Sequence, residues 1–178
     1  MFSVVTDEVV MPGEVVVKRD YLRHIGAVAV VPYQADQVVL VRQYRHPVGR
    51  VLWELPAGLA DVAGESLPDL AARELAEEAE LVAGELDLLL DLHPSPGCSN
   101  ERIRVFLGRD LSPAPHPHAR EHEEAELEVR WFPLAEAVNM VFRGEITNAT
   151  CAAGVLATAA ARARDWAGLR PADSPDPR

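Results

Sequence analysis

The residues best suited to chemistry stand together in one short string, Arg73-Glu74-Leu75-Ala76-Glu77-Glu78. Glu74 and Glu78 are four positions apart, so a helix puts them on one face, and Glu77, three from Glu74, sits beside them. Like charges at this spacing destabilise an isolated helix by roughly 0.2–0.5 kcal/mol per pair. A cluster of carboxylate oxygens is, however, the donor set that Mg²⁺ or Mn²⁺ requires. Arg73 is placed to pair with Glu77 at i,i+4, which fixes one carboxylate and leaves the other two to face a metal. Read alone, the string describes a solvated acidic helix face equally well. The residues before it separate the two readings. Gly58 and Glu65 lie in a loop that leads into the helix, after Trp53-Glu54-Leu55-Pro56-Ala57, so backbone carbonyls and carboxylates can meet at one ion.

The elements that must hold these residues are legible from patterning. Leu67–Leu81 is the strongest helix, with Ser66 able to cap it, Pro68 in the tolerant first turn and Asp69 favouring the positive end of the dipole. His24–Val31 and Gln37–Arg45 read as neighbouring buried strands. Leu86–Leu92, Ile103–Leu107 and Leu127–Phe132 add further strands, Leu134–Phe142 a short helix, and Ala149–Arg164 an Ala-rich helix. Ahead of them, Phe2–Val5 and Glu14–Lys18 flank the turn signal Pro12-Gly13 and form a hairpin or small sheet. Asp110–Glu126, rich in Pro, His and Glu, reads mostly as a mobile loop, and the tail PADSPDPR as disordered. Strands alternating with a few helices give an α+β or α/β sandwich.

Composition narrows the function classes. A chain of 178 residues, 48% hydrophobic, suits one compact domain with a small extension. A formal net charge of −11 argues against sequence-independent nucleic-acid binding and against anionic membranes. It is compatible with an anionic substrate when a divalent cation sits between protein and phosphate. Cys98 and Cys151 form no CxxC pair, so neither a zinc site nor a disulfide scaffold is indicated, and two reduced thiols are preferred over a Cys98–Cys151 bridge. The start of the chain lacks the basic and apolar regions of a secretory signal, and no apolar run reaches the roughly 18 residues of a membrane span. The expectation is a cytoplasmic enzyme with no nucleic-acid or membrane partner.

The ordered residues Gly58, Glu65, Arg73, Glu74, Leu75, Glu77, Glu78 and Leu81 resemble the box of the Nudix hydrolase family, G-x5-E-x7-R-E-U-x-E-E-x-G-U with U aliphatic. Two departures stand out. Six residues rather than five separate Gly58 from Glu65, and the second glycine of the box is Glu80 here. The insertion lengthens the loop, and Gly84 lies close enough to share the chain-turning role at the helix end. Neither departure removes an expected metal ligand. The surroundings resemble the ADP-ribose pyrophosphatase branch, with actinobacterial members sharing the longer loop. The carrying residues are Gln43-Tyr44-Arg45-His46, Leu52-Trp53-Glu54-Leu55-Pro56-Ala57-Gly58, Pro94-Ser95-Pro96-Gly97, Glu101-Arg102, His122-Glu123-Glu124-Ala125 and Arg143-Gly144-Glu145-Ile146. The resemblance spans roughly residues 26–156.

It implies an α/β (α+β) fold: a Nudix-type α/β/α sandwich with a mixed sheet over residues 23–168, preceded by a β-rich dimerisation element over residues 1–22 and followed by a disordered tail over 169–178. It also implies Mg²⁺, or Mn²⁺, held by the Ala57 carbonyl and the carboxylates of Glu74 and Glu78. The implied catalytic set is Glu124, Glu78, Glu77 and Glu123, with Glu124 aligned to the loop glutamate that orients or deprotonates the attacking water and Glu123 in reserve. Arg45 is expected on a phosphate, against the alternative of a strand-end surface cation. Glu101 and Glu54 are expected at the terminal ribose, against the alternative of loop carboxylates paired with an Arg. Trp53 reads as a core residue. His116, His118 and His122 lack a ligand framework, and Cys98 lacks a base partner, so neither group is given a role.

The activity implied is Mg²⁺-dependent hydrolysis of ADP-ribose to AMP and ribose 5-phosphate. The alternatives are another nucleoside diphosphate derivative (a nucleotide sugar, NADH or a flavin dinucleotide) or a sensor that binds ADP-ribose without cleaving it. Retention of Glu74, Glu77 and Glu78 favours the enzyme over the sensor. An acidic scaffold protein, the third class, would show no Mg²⁺-dependent activity. The N-terminal extension and the Ala-rich terminal helix point to a homodimer.

Overall fold

The computed structural model describes residues 2–115 and 127–175. Its centre is an eight-stranded mixed sheet carrying helices on both faces. In chain order the strands are β1 (Phe2–Met11), β2 (Val15–His24), β3 (Ala27–Gln34), β4 (Gln37–Arg45), β5 (Arg50–Glu54), β6 (Ala57–Leu59), β7 (Leu81–Leu92), β8 (Ile103–Pro113), β9 (Glu128–Pro133) and β10 (Arg170–Pro171). The helices are α1 (Leu67–Ala79), α2 (Leu134–Phe142) and α3 (Ala149–Arg162). The sheet runs β10-β7-β8-β3-β4-β5, with β6 added beside β3 and β9 beside β4. β3 and β8 are parallel, from Ala27 opposite Ile103 to Pro32 opposite Gly108.

β3 shows why the apolar run around Val28–Val31 is continuous rather than alternating. Val28 and Val30 pack against Leu70, Ala71 and Leu75 of α1, whereas Ala29 and Val31 pack against Leu134, Met140, Cys151 and Val155 on the α2–α3 side. A strand covered on both faces must be apolar at every position. The result is the α/β/α sandwich that the sequence predicts. α3 lies close to the sheet because Gly154 has no side chain: a Cβ there would fall 2.8 Å from Leu55 Cδ1 and 3.0 Å from Val31 Cγ2.

The structure revises three expectations. The hairpin arms are longer than predicted, ten residues each, paired from Phe2 opposite His24 to Met11 opposite Val15 as a separate two-stranded sheet. The tail is docked through residue 175: β10 pairs with β7, and Arg104 donates to the carbonyls of Ser174 and Pro175 at 2.6 and 3.1 Å. Its composition suggested disorder, but the buried Arg104–Asp91 pair and Arg170, which donates to Asp91 at 2.7 Å, supply an anchor the local sequence does not display. Asp91 is accordingly held below the usual carboxylate range: burial opposes this, and the hydrogen bonds from Arg170 and Arg104 outweigh it. Third, Asp110–Pro113 extends β8 rather than opening a loop. Residues 116–126, which include His116, His118, His122, Glu123 and Glu124, lie outside the described residues.

Candidate active site

α1 is fixed at its start as expected. The Ser66 hydroxyl accepts from the Asp69 amide at 3.2 Å and donates to the Asp69 carboxylate at 2.6 Å. At its end Glu80 itself adopts the left-handed conformation, φ 57°, usually left to glycine. Gly84 does not share that role. It lies within β7, with the Asp110 carboxylate packed where a side chain would be. The chain thus tolerates about 1–2 kcal/mol of left-handed strain at Glu80. Leu70, Ala71 and Leu75 bury one stripe of the helix, which turns the glutamates toward the short strand β6.

Two of those glutamates meet that backbone. Glu78 is buried, and its Oε2 accepts the Ala57 amide hydrogen at 3.1 Å. Glu74 lies so close to Gly58 that a Cβ there would collide with its carboxyl group. This gives the box glycine its physical reason: the backbone must approach a carboxylate where no side chain fits. Arg73 does more than the single pairing expected of it. It grips Glu65 bidentately at 3.0 and 3.2 Å and also donates to Glu74 at 2.9 Å and Glu77 at 3.0 Å. The Glu65 hydrogen bond, then the surrounding glutamate charges, raise the Arg73 pKa against the cost of burial. One guanidinium therefore ties the loop to α1 and offsets repulsion among the glutamates.

The donor set fits a hard divalent cation. Glu74 and Glu78 bring carboxylate oxygens to the Ala57–Gly58 segment. Among the described residues, no three His, Cys, Asp or Glu side chains surround a single point. A site of two carboxylates and a backbone carbonyl leaves coordination positions for water and phosphate oxygens, as Mg²⁺ prefers.

A pocket of about 540 Å³ opens beside this segment and includes Ala57 and Gly58 in its wall, with Arg45, Glu54, Glu101 and Asn148 around it. Every described residue expected at the substrate lines this pocket. Glu54 is buried, however, and its carboxylate is engaged by Arg45, with Nε at 2.9 Å from Oε1 and Nη2 at 2.6 Å from Oε2, and by Gln43 at 3.3 Å. Glu54 thus holds Arg45 in place. Gln43 was missed, although its signal was present: Gln43 and Arg45 are two apart on β4 and share a strand face. Asn148, which caps α3 by accepting from the Cys151 amide at 2.9 Å, was also missed. Trp53 packs on the core and edge-on against Phe132, with ring centroids 5.0 Å apart, as its core reading predicts. Both cysteines are free. Cys98 is exposed, while Cys151 is buried and its thiol pushed up by burial and then by the Glu54 charge. Neither is poised as a nucleophile.

A sheet sandwiched by helices, with a carboxylate helix set against the short strand β6 beside a pocket, defines a known class, and the chain belongs to it: the Nudix family. The NUDIX domain model matches residues 23–152. An ADP-ribose pyrophosphatase from Mycobacterium tuberculosis is 48% identical over 158 residues, 88% of this chain and 76% of that one. An ADP-ribose pyrophosphatase from Bacillus subtilis is 34% identical over 148 residues, 82% of this chain and 78% of that one. The fold matches the crystal structure of an ADP compounds hydrolase with a TM-score of 0.79 at 22% identity, covering 93% of this chain and 89% of that one.

Proposed function

We propose that this chain hydrolyses the diphosphate bond of ADP-ribose, giving AMP and ribose 5-phosphate, with Mg²⁺ as cofactor and Mn²⁺ as a substitute. The observation that carries the reading is that the Ala57–Gly58 segment is shared: the Glu74 and Glu78 carboxylates meet it from α1, and it forms part of the pocket wall. The likeness to two ADP-ribose pyrophosphatases over most of the chain supports the substrate.

The ligands would be Glu74, Glu78 and the Ala57 carbonyl; divalent metal bound there supplies charge neutralisation of the diphosphate and a water of lowered pKa. The protein's own groups do the rest. Arg45, braced by Glu54, binds a phosphate through charge-assisted hydrogen bonds, and Glu101 accepts from hydroxyls of the terminal ribose. Arg73 holds Glu77 and Glu65 so that α1 and its loop keep their spacing when a metal binds. Glu124, with Glu123 in reserve, takes the proton of the attacking water.

The test is chromatography of products after incubation with ADP-ribose, with Mg²⁺ and with EDTA. AMP is expected only with Mg²⁺, and its absence under every divalent ion removes the reading. A parallel panel of nucleotide sugars, NADH and flavin dinucleotide ranks the substrate.

The same proposal includes a homodimer formed through the β1–β2 ribbon. Phe2, Val4, Val10, Val15 and Val16 are exposed on it, and a lone two-stranded ribbon is marginal in water. Sedimentation at micromolar concentration is expected to give a dimer, and a monomer rules it out. No described helix is long and apolar enough to cross a membrane; a cytoplasmic location completes the proposal.

A further inference from the structure

We propose that His24, the last residue of the N-terminal ribbon, positions Glu101 in the pocket wall. The inference rests on the reading of this pocket as the ADP-ribose site. His24 Nε2 lies 3.7 Å from Glu101 Oε1, and the two side chains are only 14% and 28% exposed. The other ring nitrogen, Nδ1, accepts the Gly26 amide hydrogen at 3.1 Å. An acceptor nitrogen carries no proton, so the neutral ring bears its hydrogen on Nε2, the atom nearest Glu101. At 3.7 Å the contact is electrostatic, and a movement of about half an ångström turns it into a charge-assisted hydrogen bond.

The surroundings hold both partners. Asn100 Oδ1 accepts from the His24 amide at 2.7 Å, and the Leu22 amide donates to the Cys98 carbonyl at 2.8 Å. The Asn100 amide returns a bond to the Leu22 carbonyl at 3.2 Å, so the end of the ribbon is stitched to residues 98–100. Glu101 itself is fixed through its backbone: its amide donates to Ser99 Oγ at 3.0 Å, and its carbonyl accepts from His93 Nδ1 at 3.1 Å. Glu101 lines the pocket and His24 does not. His24 therefore acts through Glu101, limiting where the carboxylate can sit before substrate arrives and reducing the ordering cost of binding. The ribbon is thereby part of the pocket's support.

Steady-state kinetics with ADP-ribose test this directly. His24→Ala is expected to raise KM about tenfold with kcat changed less than about twofold, the pattern of a lost binding contact. His24→Gln places an amide N–H near the lost Nε2–H and is expected to restore most of the loss; a merely structural defect would not respond this way. His24→Ala combined with Glu101→Ala is expected to be no worse than Glu101→Ala alone. A wild-type KM in His24→Ala, or losses that multiply in the double variant, overturns the proposal. A second measurement needs no turnover: the His24 ring ¹⁵N shifts, assigned by their loss in His24→Gln, are expected to move in Glu101→Gln, and unchanged shifts overturn it as well. If the wild-type protein leaves ADP-ribose intact, the substrate reading fails while the ring shifts still decide the His24–Glu101 contact.

Discussion

The two halves of the candidate site are built in different ways. On one side, strand β6 at Ala57–Gly58, the loop through Glu65 and helix α1 form one continuous stretch of chain, in which the Arg73 guanidinium joins Glu65, Glu74 and Glu77 by four hydrogen bonds and Glu78 accepts the Ala57 amide hydrogen. On the other, the pocket wall draws Arg45 from β4, Glu54 from β5, Glu101 from the segment before β8 and Asn148 from the start of α3. The first half is a local motif whose spacing is set by helical geometry. The second is a product of the sheet, whose strands bring distant residues to one edge. In the proposed reaction, chemistry that tolerates no variation in geometry belongs to the local half, and recognition, which can vary with the wall, belongs to the assembled half.

Glu78→Gln makes the sharpest test of that division. It removes a negative charge but keeps an oxygen able to accept the Ala57 amide hydrogen, so the contact between α1 and β6 is kept. Turnover is expected to fall at least about 10³-fold, roughly 4 kcal/mol of barrier. Without Mg²⁺ the melting temperature is expected to match or exceed that of the wild type, because a buried charge beside other glutamates has been removed. Near-normal kcat would take Glu78 out of the metal site. Gly58→Ala comes next, at about 10²-fold. The added methyl meets a flexible side chain rather than backbone, so the Glu74 carboxyl group moves and the β3–β6 pairing survives. The expected signature is a higher Mg²⁺ requirement, read by titrating activity against the metal. Unchanged Mg²⁺ dependence would mean that Glu74 is not a ligand.

The same division explains what was legible in the sequence. α1, its Ser66 cap and the apolar strands β3 and β4 follow from local patterning over a few residues. So do the carboxylates of α1, since i,i+4 spacing fixes their common face before any tertiary contact forms. Arg45, Glu54 and Glu101 were placed at the substrate only by resemblance, and the Arg45–Glu54 pairing was foreseen only in general form. His24 carried no signal at all: its relation to Glu101 depends on how the ribbon docks against residues 98–100. The docked tail was misread for the same reason. Ala-Asp-Ser-Pro is a disordered composition locally, and remote partners, the Asp91–Arg104 pair and strand β7 among them, make it an ordered one.

The smallest effect expected belongs to the assembled half, at Glu54. Its carboxylate is buried, whereas the Arg45 side chain it holds is 43% exposed. Glu54→Gln removes the ion pair but leaves an acceptor for one Arg45 N–H, and the guanidinium keeps access to water. The cost to stability is therefore expected to be about 1 kcal/mol or less, well below the roughly 3–5 kcal/mol of breaking a fully buried pair. What is lost is the two-point grip that aims Arg45. KM for ADP-ribose is expected to rise about threefold to tenfold with kcat nearly constant, and Arg45→Lys, which cannot reproduce the bidentate geometry, is expected to behave alike. If Glu54→Gln instead lowers kcat as strongly as Glu78→Gln while the fold is retained, Glu54 belongs with the chemistry, and the separation between a local catalytic half and an assembled recognition half breaks down at β5.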